Sequence, residues 1–405
     1  MNTKTLIWID KAFGRSIANG INWMVRLLGW IFPKRHRLNE PGTIAIAKFK
    51  GMGSILQTIP LILTLKKNYP NCKITFVTTA ANKEILDLLN LTDGTIILND
   101  KGIFSLLQSF PAFLIRIVKK HFDLYIDLEI YSSFSSIITA LSLARNRIGY
   151  YLRSENYRFG IYSQMMYYNV NVPVHQTYLQ IARLTGCTEI IEDPDLNIHT
   201  EEPGSLICKP YILINPNASD LRLERRWPKE YFIALINKLI LNFPDHHVYL
   251  TGSGNEASYA ESVIDGIKQC PKVKSVAGKT SMKELINIIT HTDIFISNDT
   301  GPMHLAALLQ KRTIALFGPC SPAHYRFNKS IYVLYKHLYC SPCVHEFKIP
   351  PCKGNNICMK SISVNEVYQL CCEVLEGKNT AFDTSFQVKD IIYERQSDIA
   401  GFIER

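Results

Sequence analysis

The sequence predicts an α/β fold made of two doubly wound, Rossmann-like domains that face a cleft. From residue 43 onward, short β-rich runs alternate with amphipathic segments of helix length, which is the pattern of repeated β-α-β units. The alternation is interrupted around residues 201–204 and then resumes. A chain of 405 residues also exceeds the usual size of a single core. In such folds ligands bind at the carboxyl ends of the strands.

The first domain is expected over residues 39–203. Apolar runs of strand length mark its strands, and longer amphipathic stretches between them mark its helices. The predicted strands are residues 43–47, 73–78, 96–98, 124–127 and 147–150. The predicted helices include residues 55–68, 83–91 and 132–143.

The second domain is expected over residues 204–345 and repeats the same alternation. Its predicted strands are residues 211–215, 247–251, 273–276, 293–297 and 312–317. Its predicted helices are residues 229–241, 256–269, 282–291 and 303–309. Residues 346–405 are expected to form a cysteine-containing segment, a C-terminal helix and a polar tail.

Composition and charge narrow the function classes. Apolar residues make up 47% of the chain and charged residues 20%, which argues against disorder. The net charge of +10 is concentrated in the first 37 residues, where seven basic side chains stand against Asp10 alone. The rest of the chain is only mildly basic, so no nucleic-acid partner is predicted. Eleven cysteines without a secretory signal peptide indicate a reducing cytoplasm.

Residues 1–38 are predicted to form an amphipathic segment that associates with a membrane surface. Apolar residues recur there at helical spacing, and three tryptophans suit an interface: Ile9, Phe13, Ile17, Ile21, Met24, Leu28 and Ile31, with Trp8, Trp23 and Trp30. The segment is not expected to span a membrane, because charged residues from Asp10 to Arg26 interrupt it. The alternative is a helix that packs on the protein's own surface or on a partner.

The strongest local signal is the turn from Ser297 to His304, directly after an apolar strand and at the start of a helix. The N–H groups of a helix N-terminus suit a diphosphate. Gly301 permits close approach of a ligand, and Pro302 fits the first helical turn. The alternative is that the turn only caps its helix.

This turn and the run at residues 313–319 closely resemble the donor-site signature of glycosyltransferase family 9, the lipopolysaccharide heptosyltransferases. Residues 44–60, 122–150 and 213–230 resemble further motifs of the family in the same order, so the resemblance extends from about residue 43 to residue 367. It implies the two-domain GT-B architecture. It also implies inverting transfer of a heptose or related sugar from a nucleotide-sugar, by family default ADP-heptose, to the lipopolysaccharide core or another lipid-linked saccharide. With the N-terminal segment and the cysteines, it predicts a cytoplasmic protein peripherally associated with the inner membrane.

The resemblance implies roles for residues of the second domain. Asp299, Thr300, Gly301 and His304 would contact the phosphates and sugar of the donor. Arg225 stands where the family usually has a lysine, and it would neutralise charge on the departing nucleoside diphosphate. An arginine keeps the charge but changes the geometry.

Three further polar residues are expected at the donor. Glu256 matches a family acid suited to ribose hydroxyls, although the preceding glycine turn also serves ordinary strand-to-helix packing. Asn217 and Ser219 are expected to contact the donor, or else to hold a turn.

Ser54 is the main departure from the family, which commonly has an aspartate there as general base. A serine hydroxyl is not ionised near neutral pH, so it cannot take that role unaided. Our hypothesis is that Glu129, at the end of a predicted strand, is the base. The alternatives are a phosphate of the acceptor, a water relay, or a protein that has lost catalysis and only binds a nucleotide-sugar at the membrane.

No metal and no cofactor other than the donor substrate is expected, since a GT-B enzyme can stabilise the leaving diphosphate with helix N-termini and cations. The spacing of Cys340, Cys343, Cys352 and Cys358 would suit zinc, but packed or free thiols are the favoured interpretation. An epimerase of GT-B shape is disfavoured by the motif set.

Overall fold

The computed structural model describes residues 10–32, 36, 40–169, 172–194, 196, 198–219, 222–268, 270–325, 327–344, 347, 350 and 352–377. The chain divides into two compact units, Met1–Asp195 and Leu196–Arg405. The break in the sequence pattern at residues 201–204 thus lies within the second unit.

The first unit is a six-stranded parallel sheet with helices on both sides. Its strands are β1 (Thr43–Ala47), β2 (Lys73–Thr79), β3 (Gly94–Leu98), β4 (Leu124–Asp127), β5 (Asn146–Tyr151) and β6 (Gln164–Tyr167), in the spatial order β3-β2-β1-β4-β5-β6. Its helices are α1 (Arg15–Ile31), α2 (Met52–Leu56), α3 (Ile59–Asn68), α4 (Lys83–Leu89), α5 (Ile103–Lys119), α6 (Ser133–Leu141) and α7 (Val174–Leu184). The central strands are buried on both faces, which explains their nearly continuous apolar sequences.

The second unit repeats this topology. Its strands are β7 (Tyr211–Asn215), β8 (His247–Leu250), β9 (Val273–Ser275), β10 (Ile294–Asn298), β11 (Thr313–Phe317) and β12 (Ile331–Tyr335), in the order β12-β11-β10-β7-β8-β9. Its helices are α8 (Lys229–Asn242), α9 (Ala257–Ile264), α10 (Met282–His291), α11 (Gly301–Leu308), α12 (Ile357–Lys360) and α13 (Val364–Leu375). Two parallel sheets with this strand order confirm the prediction of two doubly wound, Rossmann-like domains.

Three local predictions were wrong. The edge strands β6 and β12 were not predicted; β6 is short and only partly buried, so it lacks the apolar run of a central strand. The single helix predicted over residues 55–68 is two helices, because α2 ends at Leu56 and α3 starts at Ile59. Pro60 lies in the first turn of α3, where its missing N–H costs little.

Helix α1 belongs to the first unit and packs on it along one face. Ala18 is fully buried, and Ile21 and Val25 contact an apolar cluster that includes Tyr162. The rest of α1 exposes large apolar side chains, with Trp23 at 68% and Trp30 at 82% exposure. Within the described residues, no helix is long and apolar enough to cross a membrane. Residues 1–9, 33–35, 37 and 38 of the predicted membrane segment lie outside the described residues.

Candidate functional site

The predicted donor turn lies at the carboxyl end of β10, and Asn298 ties it to two other segments. The Asn298 amide donates to the carbonyl oxygens of Pro216 (3.0 Å) and Asn217 (2.9 Å), in the loop after β7. Its Oδ1 accepts from the backbone N–H of Trp227 at 3.1 Å. Sequence reasoning included Asn298 in the motif but gave it no role. Its burial at a strand end makes it the residue that holds the turn together.

Thr300 and Gly301 begin helix α11. Thr300 has extended backbone angles and precedes the helix, as an N-cap residue does. Its hydroxyl accepts a hydrogen bond from the Asn215 amide at 2.9 Å. The hydroxyl therefore helps to fix the turn, and the N–H groups of the first turn of α11 remain the feature that suits an anion.

Asp299 is buried between two basic side chains. Its Oδ2 lies 3.4 Å from Nη1 of Arg225, and its Oδ1 lies 3.5 Å from Nε2 of His304. Burial alone would raise the pKa of Asp299, but the charge of Arg225 and the contact with His304 hold it well below its usual range. Asp299 is 2% exposed. Its carboxylate is thus placed to orient Arg225 and His304.

An aromatic ring and a thiol complete this cluster. The His304 ring lies 4.2 Å from the Tyr325 ring, between centroids. Burial raises the pKa of the Cys320 thiol to about 12, so Cys320 is a neutral thiol and not a nucleophile. The arrangement therefore places the Arg225 cation and the His304 ring around one buried carboxylate.

The remaining predicted donor residues lie at the ends of β7 and β8. The Asn217 amide donates to the Thr251 carbonyl oxygen at 2.9 Å, while its buried Oδ1 has no hydrogen-bond partner in the described structure. A Cβ atom at Gly252 would lie 2.4 Å from Nδ2 of Asn217, so this position requires glycine. Ser219 follows in the same loop at the edge of the described residues.

Glu256 lies in a 3₁₀ turn before α9 and is engaged locally. Its Oε2 accepts from both the N–H and the hydroxyl of Ser253, each at 2.8 Å. This is a capping box, which satisfies helix N–H groups. The local packing interpretation of this turn therefore has direct support, and a ribose contact stays a prediction.

In the first unit, Ser54 lies in the short helix α2 after a glycine turn. Gly51 has φ +84°, a left-handed conformation that favours glycine. A Cβ atom at Gly51 would lie 3.4 Å from the Ser54 hydroxyl. The turn thus holds Ser54 at the carboxyl end of β1.

Glu129 follows β4 and holds this same turn. Its Oε1 accepts from the N–H groups of Phe49 (2.8 Å) and Lys50 (3.1 Å), and its Oε2 pairs with Nζ of Lys48 at 3.0 Å. Burial would raise the pKa of Glu129, but Lys48 and the two N–H groups outweigh it and lower the pKa. A low pKa weakens a base. The general base role stays a prediction, and the geometry favours a clamp on the turn.

Beneath Glu129 lies a buried ion pair that sequence reasoning missed. Arg158 pairs with Asp127 at 3.0 Å, and both side chains are fully buried. The Arg158 guanidinium also donates to the carbonyl oxygens of Glu129 (2.9 Å) and Ile130 (2.7 Å). Tyr162 donates to Asp127 as well. Arg158 thus fixes the backbone that carries Glu129. An acid at the end of an apolar strand was the only signal in the sequence.

The four cysteines whose spacing would suit zinc, Cys340, Cys343, Cys352 and Cys358, lie near one another. Burial raises the pKa of Cys358 to about 12, and the neighbouring Cys343, Cys340 and Cys352 add to the rise. The N–H of Asn356 contacts the Cys352 sulfur at 3.4 Å. Among the residues that the structure describes, no group of three or more His, Cys, Asp or Glu side chains is placed to hold a metal ion.

Comparisons with known proteins agree with this architecture. A family model described as glycosyltransferase family 9 (heptosyltransferase) matches residues 113–353. The chain is 32% identical over 179 residues to lipooligosaccharide heptosyltransferase 2 of Campylobacter jejuni, covering 42% of this chain and 53% of that protein. It therefore spans about half the length of that relative. It is 26% identical over 308 residues to lipopolysaccharide heptosyltransferase 1 of Campylobacter coli, covering 71% and 87%.

Solved structures show the same fold. The ADP-heptose lipopolysaccharide heptosyltransferase II of Escherichia coli matches with a TM-score of 0.66 and 17% identity, over 84% of this chain and 100% of that one. The E. coli heptosyltransferase WaaC with ADP-2-deoxy-2-fluoro heptose matches with a TM-score of 0.61 and 17% identity, over 82% and 99%. These matches confirm the GT-B fold. Because the family model covers more than half of the sequence, the chain belongs to glycosyltransferase family 9, the heptosyltransferase family.

Proposed function

We propose that this protein is an inverting glycosyltransferase that moves a heptose from ADP-heptose to a lipopolysaccharide core or another lipid-linked saccharide. Family membership supports the reaction class. The observation that carries the donor side is the buried cluster of Arg225, Asp299 and His304, next to the first turn of α11. Such a cluster is suited to a ligand that gains negative charge as the reaction proceeds.

In this proposal the donor diphosphate lies at the N-terminus of α11, and Arg225 neutralises the charge that develops on the departing nucleoside diphosphate. Asp299 cannot contact the phosphates favourably, because both groups are anions. Its role is to hold Arg225 and His304 in position. Helix N–H groups and a fixed cation stabilise the leaving group without a divalent ion.

The general base is the open part of the mechanism. Ser54 stands where the family has an aspartate. Both oxygens of Glu129 are engaged with the glycine turn that precedes Ser54, through Lys48 and Phe49. These contacts favour a phosphate of the acceptor or a water relay as the proton acceptor. The same two observations favour our second candidate function, a membrane-associated protein that binds the nucleotide-sugar without turning it over.

Release of nucleoside diphosphate by the purified protein tests the proposal. ADP-heptose, UDP-sugars and GDP-sugars are each supplied with and without a lipopolysaccharide-core acceptor. We expect acceptor-dependent release from ADP-heptose, and a loss of at least about tenfold in Arg225→Met because a cation at the leaving group is removed. Arg312→Met is the matched control, since Arg312 precedes β11 at the opposite end of the strands. Donor binding without release under every condition would establish the second candidate instead.

We also propose that α1 associates with the cytoplasmic face of the inner membrane, as the lipid-linked acceptor requires. Phe13, Ile17 and the tryptophans of α1 are exposed although α1 is docked on the first unit. Quenching of tryptophan fluorescence by brominated lipids tests this: Trp23 and Trp30 are exposed, and the fully buried Trp227 serves as an internal control. Quenching no greater than in lipid-free protein would refute it.

A further inference from the structure

Three helices of the first unit lie side by side on one face of its sheet. Phe113 and Ile117 of α5 and Ile138 of α6 share an apolar cluster with the strands. Helix α1 contacts α6 but packs outside it, through Ala18 and Ile21. Helix α6 therefore lies between α5 and α1.

Helix α1 has one flank that carries two arginines and another flank that is apolar. Arg15 and Arg26 are three turns apart and lie on one flank; Arg15 donates to the Ser154 carbonyl oxygen at 2.5 Å, and Arg26 packs against Gly160. The opposite flank, on the side of α6, carries an exposed apolar stripe at helical spacing. It consists of Ile17, Met24, Leu28 and Ile31 of α1 and of Phe13 in the turn just before α1, which are 45–59% exposed.

Helix α5 also has an apolar stripe on the side of α6 and basic residues on the side away from α6. Its outer surface carries Phe104, Leu107, Pro111 and Ile115, of which Phe104 is 88% and Leu107 is 65% exposed. The adjacent Phe110 contacts Phe134 of α6, with 6.2 Å between ring centroids, so this apolar stripe borders α6. Its basic residues, Arg116 and Lys119, lie on the far flank.

Together these stripes form one surface, which we name the three-helix apolar face. Its middle is the partly exposed side of α6, with Phe134, Ile137 and Leu141. One outer margin carries Arg26 and the other carries Arg116 and Lys119, whereas the charge of Arg15 is paired with Glu155 at 3.3 Å. The sequences of α1, α5 and α6 contain four Arg or Lys residues and no Asp or Glu.

We propose that the three-helix apolar face docks on an anionic lipid bilayer, with α5 as a second membrane-contacting helix beside α1. The inference deepens the proposed function and rests on it. Soluble monomers rarely expose so continuous an apolar surface. Basic margins complement anionic headgroups, and helices that lie in an interface have this division. A second copy is a poorer occupant, because a symmetric contact would bring these basic, acid-free helices together.

Sedimentation of the full-length protein with vesicles tests the role of α5. Vesicles contain phosphatidylglycerol, or phosphatidylcholine alone. The variant Phe104→Ser/Leu107→Ser changes two exposed side chains, so the fold is retained. The matched control is Leu206→Ser/Leu241→Ser, at 60% and 79% exposed leucines of the second unit. We expect the α5 variant to bind anionic vesicles roughly tenfold more weakly, which corresponds to 1.4 kcal/mol, and the control to bind as the wild type does.

The outcomes separate docking from catalysis. Anionic-vesicle binding by the α5 variant equal to the wild type would overturn the inference, and so would a wild-type dimer that the variant converts to a monomer. Nucleoside diphosphate release with a deacylated, soluble acceptor is expected to be unchanged in the variant. If the wild type binds vesicles as expected but releases nothing with any acceptor, the proposed function fails while the docking surface stands.

Discussion

Replacing Glu129 with glutamine distinguishes a structural clamp from a general base. Glutamine can still accept from the N–H groups of Phe49 and Lys50, but its NH₂ group then faces the ammonium of Lys48, 3.0 Å from the original oxygen. The Lys48 side chain is only 9% exposed. Removing one partner of a buried ion pair costs about 3–5 kcal/mol. That is a large share of the ~5–15 kcal/mol that stabilises a typical domain.

Urea unfolding and turnover, measured on the same preparations, provide the assay. We expect Glu129→Gln to lower the free energy of unfolding by about 3 kcal/mol or more. The double variant Glu129→Gln/Lys48→Met should recover part of that loss, because it also removes the buried ammonium that Glu129→Gln leaves without a counter-ion. If Glu129 is a clamp, the double variant also recovers part of the turnover. It cannot do so if the carboxylate is the base.

The clamp role of Glu129 is refuted if Glu129→Gln unfolds like the wild type and both variants remain equally inactive.

The acid sensitivity of folding provides an independent check. The folded state lowers the pKa of Glu129, so the ion pair stabilises the fold above the unfolded-state pKa of about 4.3. That contribution is lost as the pH falls through the folded-state pKa. The stability gap between wild type and Glu129→Gln should therefore stay constant from neutral pH down to about 4.3 and narrow only on further acidification.

Two further predictions concern the second unit. Gly252→Ala should weaken donor binding and lower the free energy of unfolding by about 1–3 kcal/mol, because its Cβ would overlap the Asn217 amide. Gly204→Ala is the control, since nothing lies within 4 Å of its Cβ position; equal effects in calorimetry would contradict the prediction. Asp299→Asn should cost about 3 kcal/mol or more in urea unfolding, because Arg225 loses its buried counter-ion. A loss of donor binding with unchanged stability would instead indicate a direct ligand contact.

Most of the fold could be predicted because the central strands of both sheets are buried. Strands such as β7 and β10 are apolar on both faces, so their sequences stand out from the amphipathic helices between them. The edge strand β6 was not predicted because it pairs with one strand only and is partly exposed, so its sequence is not a continuous apolar run. The break between α2 and α3 depends on local turn geometry, which periodicity alone does not encode.

The sequence predicted that polar residues collect at the strand ends, but not which contacts the individual side chains make. Strand-end motifs correctly indicated where polar residues collect, as at Asn298 and Asp299. The sequence could not show that Arg158 reaches Asp127 across 31 positions to support the backbone of Glu129. That contact depends on how the 3₁₀ helix Arg153–Arg158 brings the Arg158 side chain to the end of β4, which no local pattern encodes.

The two units use their strand-end carboxylates in the same way. In the first unit Glu129 is buried against Lys48, and in the second Asp299 is buried against Arg225; each has a lowered pKa because a cation outweighs the effect of burial. An anion in such a place is a weak proton acceptor and a poor phosphate ligand, but it holds a long basic side chain in one conformation. Each carboxylate therefore matters through the group that it positions: the glycine turn that carries Ser54 in one unit, and in the other Arg225, the proposed cation for the leaving group.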